Sequence, residues 1–73
     1  MTEVTFGDTT LFLHRATRVC CIVSGSGERL HEAIAVAATM HVDKVIVVAP
    51  EVDMALIPAL RKSQELFVYE YGK

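Results

Sequence analysis

The stretch Val19–Ala33, VCCIVSGSGERLHEA, decides the fold. A fully apolar run meets a glycine–serine turn, and an amphipathic pattern follows. "VCCIVS" is β-branched and apolar on both sides, the pattern of a strand covered on both faces. Beyond the turn, at 100° per residue, Leu30, Ala33, Ile34, Ala37, Ala38 and Met40 fall on one side of a helix. Glu28, Glu32 and Thr39 fall on the other. The spacing predicts a helix over about 28–41, with Val36 toward the polar side as a second contact.

Working outward, "DKVIVVAP" is a second apolar strand, about 44–49, stopped by Pro50. Upstream, "TEVTF" and "TTLFLH" flank Gly7-Asp8, which predicts a hairpin of strands at 2–6 and 9–14 joined by a type II′ turn. Downstream, Asp53 is placed to cap a turn. Pro58 removes a backbone donor, so the regular helix is expected only over about 57–63, with Arg61 and Lys62 in its last turn. "ELFVYEY" alternates, with Leu66, Val68 and Glu70 on one face and Phe67, Tyr69 and Tyr71 on the other. The expected architecture is a small two-layer α/β domain of order ββ-βαβαβ. It comprises an N-terminal hairpin plus a mainly parallel sheet with two helices. Two helices on one side would leave the other side of the sheet bare.

Length and composition bound the function. Seventy-three residues make one domain over 1–73, and 52% of them are apolar. A chain this short leaves much of its surface in water, so this apolar content points to a second copy or a larger protein covering one face. Net charge is −2. Arg15, Arg18, Arg29, Lys44, Arg61, Lys62 and Lys73 are scattered among the acids, a poor match to the basic surface that nucleic acid requires. Cys20 and Cys21 are adjacent and point to opposite faces of a strand, so they do not staple distant segments. This suits a reducing, cytoplasmic setting. The N-terminal "MTEVTFGD" does not read as a signal peptide. No apolar run reaches the roughly 20 residues of a membrane span.

The turn "SGSGERL" invites comparison with phosphate-binding loops. Gly25 and Gly27 match the start of G-x-G-x-x-G, but Leu30 occupies the third glycine position and no Walker lysine follows. Glu28 already sits at the positive end of the helix dipole and would repel a phosphate. The simpler reading is a turn in which Ser26 caps the helix. Ser26 lacks the G-x-S-x-G context of a nucleophile elbow. Cys20 and Cys21, mid-strand, read as packed and inert. His31 and His41 are too far apart on the helix to share a metal. Glu28, His31 and Glu32 read as a solvated cluster, and His41 as a packed histidine near the helix C-terminus. Glu51 and Asp53 read as loop and cap. No catalytic set, cofactor or metal is expected.

Residues 27–62, GERLHEAIAVAATMHVDKVIVVAPEVDMALIPALRK, resemble the kink-turn RNA-binding family of ribosomal proteins. Gly25, Gly27 and Glu28 stand at the family's turn. Ala49, Glu51, Val52 and Asp53 stand at its strand end, and Pro58, Ala59, Leu60 and Arg61 at its later helix. The resemblance implies RNA contact at the turn. Gly27, however, stands where the family has its RNA-contacting asparagine, and a hairpin replaces the N-terminal helix.

The sequence therefore predicts a non-enzymatic interaction module of regulator or inhibitor type. It is expected to self-associate or to dock on a larger protein through an apolar sheet face or edge, with Phe67, Tyr69, Tyr71 and Val36 as contact residues. The alternative is a phosphate-, nucleotide- or RNA-binding domain using Gly25, Ser26, Gly27, Arg29 and Arg61.

Overall fold

The computed structural model describes residues 1–72. Five strands stand at Thr2–Phe6 (β1), Thr9–His14 (β2), Val19–Ser24 (β3), Lys44–Ala49 (β4) and Glu65–Glu70 (β5), with one helix, Leu30–Ala38 (α1). They form a single sheet in the order β1-β2-β3-β4-β5.

The sheet is mixed, not mainly parallel. β1–β2 and β2–β3 pair antiparallel, while β3–β4 and β4–β5 pair parallel. Connection length decides this. Gly7-Asp8 closes β1 onto β2, with Gly7 at φ 61° and Asp8 at negative φ, as a type II′ turn requires. Only residues 15–18 separate β2 from β3, too few for a parallel crossover, which needs a dozen or more. His14 and Thr17 bond side chain to side chain at 2.8 Å across this loop, and Arg18 takes φ 59° to complete it. The hairpin is therefore continuous with the sheet through β2.

The second helix does not form. Between β4 and β5 the only helical element is a single 3₁₀ turn, Met54–Leu56. Asp53 caps it as expected, its carboxylate accepting from the Ala55 amide at 3.0 Å. Ile57, preceding Pro58, sits at ψ 126° in extended conformation, as sterics before proline favour. The few residues left before β5 are too short to propagate a helix unaided. Instead the segment serves α1. Gln64 is buried, and its amide donates to the carbonyls of Ala38 and Met40, each at 3.4 Å. Its side-chain oxygen accepts from the Arg61 amide at 3.0 Å, and the Arg61 guanidinium donates to the Met40 carbonyl.

α1 is also shorter than the 28–41 expected. The Gly27 φ of 81° and the turn at Ser26 delay its start. At its end the Thr39 hydroxyl bonds the Val36 carbonyl at 2.7 Å. His41 consequently lies beyond the helix and is exposed, not packed.

The core lies between α1 and one face of the sheet. Leu11, Leu13, Cys20, Ile22, Val45 and Val47 meet Leu30, Ala33, Ile34 and Ala37, with Val42 and Val52 closing the ends. Alanine at two of the four helix positions lets the helix lie close to the strands. Thr9 and Ser24, buried at the rim of this face, share a hydrogen bond at 2.8 Å.

Gln64→Ala is expected to cost about 1–2 kcal/mol, because it strands the Ala38 carbonyl and the Arg61 amide and leaves the Met40 carbonyl to Arg61 alone. That corresponds to a melting point lowered by roughly 5–10 °C for a domain of this size. Gln64→Glu should cost at least as much, since a carboxylate cannot donate to those carbonyls. Thermal unfolding at fixed concentration checks both.

Candidate functional site: the open sheet face

Among the described residues the single helix α1 covers one face of the sheet. Register identifies the residues on the other. Glu3, Phe12, Cys21, Ile46 and Phe67 lie in one row across the five strands, and Thr5, Thr10, Val23, Val48 and Tyr69 lie in the next. Val19 adds to the apolar area beside Lys44 and Glu65. The result is an apolar patch over β3, β4 and β5, extended by Phe12 and bordered on the β1 side by Glu3, Thr5 and Thr10. Val23 is 41% exposed, Phe67 38% and Tyr69 60%. Among the described residues no helix packs on this patch: α1 contacts β2, β3 and β4 from the covered face.

The residues expected as contacts are not gathered in one place. Phe67 and Tyr69 stand on the open face. Tyr71 lies beyond the end of β5, and its hydroxyl donates to the Ser24 carbonyl at 2.6 Å, tying the residues just after β5 across β4 to β3. Val36 is on α1, on the opposite side of the molecule, partly buried against the core. Phe12, Cys21, Val23, Ile46 and Val48 were not singled out from sequence. In runs apolar on both sides nothing marks which residues face outward, and pairing register supplies that.

The Gly25–Glu28 turn uses its own amides. Gly25 donates to the Asp8 carbonyl at 3.2 Å, Gly27 to the Ser24 hydroxyl at 2.8 Å and Glu28 to the Ser26 hydroxyl at 3.2 Å. Ser26 thus caps the turn before α1, not α1 itself. The Asp8 carboxylate lies against Gly25, 3.0 Å from where a Cβ would stand. The Arg29 guanidinium is engaged by Glu32 at 2.9 Å. Arg61 is at the opposite end of α1, on the Met40 carbonyl. The residues named for anion or RNA binding therefore do not converge, and the turn presents a negative surround.

Beside this turn, Ser26, Gly27, His31, Glu51, Val52, Asp53 and Met54 line a shallow cleft of about 410 Å³. The His31 ring donates to the Asp53 carbonyl at 3.0 Å. Among the described residues no three His, Cys, Asp or Glu side chains converge as a metal site would need. Burial pushes the Cys20 thiol up to about 11, with Cys21 adding to the shift, and burial raises Cys21 as well. Both are protonated at neutral pH and poor nucleophiles.

Charge is segregated along the strand direction, which the scattered sequence positions conceal. Among the described residues, Asp8, Glu28, Glu32, Glu51, Asp53 and Glu70 face one cation, Arg29, at the end holding the carboxyl termini of β3, β4 and β5. At the other end, Arg15, Arg18, Lys44, Arg61 and Lys62 face Asp43 and Glu65.

Comparison with protein-family models, curated proteins and solved structures yields no match, so the kink-turn resemblance gains no support from them. Among the described residues, no helix is long and apolar enough to cross a membrane.

Proposed function

We propose that the chain is a small non-enzymatic interaction module whose occupant on the open sheet face is a second copy of itself. The observation that carries this reading is the register-aligned apolar patch, which no helix covers among the described residues. Charge supports self-pairing and selects its geometry. A two-fold axis lying in the interface and perpendicular to the strands stacks each strand on its own copy, which sets patch on patch. The same operation reverses the strand direction and lays the basic end of one protomer over the acidic end of the other. An axis parallel to the strands would oppose like ends, which is repulsive.

Area bears on strength. Five strands about 4.8 Å apart and six residues of about 3.3 Å make a face of roughly 24 × 20 Å in plan. Side-chain relief raises its accessible area toward the lower end of specific interfaces, about 600 Å² per partner. A reversible, micromolar dimer is the expectation. The free thiols Cys20 and Cys21 fit a reducing compartment such as the cytoplasm. In such a role the dimer face would also be the surface by which the module regulates or inhibits a larger protein, by exchanging one copy for that partner.

Sedimentation velocity from micromolar to millimolar chain tests the reading. A monomer–dimer transition that weakens as salt rises is expected. A monomer throughout that range would overturn it.

A further inference from the structure

At the basic end, on the helix side of the sheet and away from the open face, a groove of about 480 Å³ is lined by Leu13, Arg15, Arg18, Met40 and His41. Its size is that of a small-ligand site, and its composition, apolar wall with a few polar groups, is the usual one. Leu13 belongs to the core-facing side of β2, and Met40 packs against the core from the end of α1. Together they give the groove its apolar wall.

The arginines give it a head-group site. Arg15 has no ion pair or hydrogen bond among the described residues. Arg18 meets Asp43 at 3.3 Å, with both side chains about half exposed, a pairing weak enough in water to be shared with an incoming anion. The negative end of the α1 dipole would ordinarily oppose an anion here. It is already answered, because the Met40 carbonyl accepts from both Arg61 and Gln64. Guanidinium groups match the planar, two-oxygen geometry of a carboxylate. A small inorganic anion would leave Leu13 and Met40 unused, and a neutral apolar molecule would leave the arginines unused.

We propose that this groove binds a small carboxylate carrying an apolar tail of medium-chain length. The probe is octanoate, followed by amide chemical shifts of the folded chain. The amides of Arg15, Arg18, Met40 and His41 should move together and saturate at about millimolar octanoate, as expected for a ligand of some ten heavy atoms. Octanol, with the same tail and no charge, should bind at least tenfold more weakly, and inorganic phosphate should not saturate. Arg15→Gln, which removes an exposed group without a partner, should weaken octanoate about tenfold and leave the melting point unchanged. Equal binding of octanol and octanoate, binding of phosphate as tight as octanoate, an unaffected Arg15→Gln variant, or shifts confined to the open sheet face would each overturn the proposal.

Discussion

Ile34→Ala is expected to cost about 3–4 kcal/mol, within the range for emptying a buried isoleucine site. Ile34 is fully buried in the middle of α1. The strands are hydrogen-bonded to their neighbours and cannot close on the space it leaves, and no second helix is present to share the load. A domain of this length has a total stability of about 4–11 kcal/mol, so one substitution removes roughly a quarter or more of it. Leu60→Ala is the contrasting variant. Had residues 57–63 formed a helix packed on the sheet, Leu60 would lie in it and would cost a comparable amount. It is only partly buried and is not among the residues packed on the core, so a loss below about 1 kcal/mol is expected, the usual range for such positions. Urea unfolding at a concentration where the chain is monomeric measures both. Equal losses at Ile34 and Leu60 would mean that the segment before β5 packs as a second helix after all.

The contrast between those two positions marks what local pattern reveals. The five strands are visible because β-branched alternation, Gly7-Asp8 and Pro50 are local signals, and each strand lies where those signals place it. α1 is visible in its stripe of Leu30, Ala33, Ile34 and Ala37. Its ends are not, because the Thr39 bond to Val36 and the Gln64 bonds to Ala38 and Met40 are made by groups whose partners cannot be read from helical periodicity. The 57–63 segment carries helix-forming residues, but with Pro58 near its start and no apolar stripe long enough to anchor it, propensity yields to the tertiary task of capping α1. The bare face is anticipated by the small number of helices. Its composition is not, because Cys20 and Cys21 or Val47 and Val48 are indistinguishable as neighbours in an apolar run. They part only when Cys20 pairs with Val45, and Cys21 with Ile46. The separation of charge follows from the same topology: both parallel crossovers return the chain to one end, carrying Lys44 with one and Arg61 and Lys62 with the other.

Val23→Lys is expected to weaken self-association by at least a hundredfold while leaving the monomer folded. Val23 lies on β3 within the apolar patch, directly beside Val48 in register, and at 41% exposure its outer atoms meet solvent in the monomer. A lysine there can extend into water at little cost. In the stacked dimer it cannot. Each protomer would lose the burial of a valine, worth up to about 2 kcal/mol, and would have to desolvate an ammonium group against the partner's apolar residues. The two-fold axis doubles the penalty, because every interface residue enters twice. Ala35→Lys supplies the control: it adds the same charge at an exposed position on α1, on the far side of the molecule, and should leave the dimer intact. Sedimentation velocity of the three proteins at matched ionic strength, with circular dichroism to verify folding, separates the cases. If Val23→Lys dimerises as well as the parent, the open face is not where two copies meet. If Ala35→Lys abolishes association equally, net charge and not the patch governs it. Either result would remove the physical basis for assigning the bare side of the sheet to a second copy of the chain.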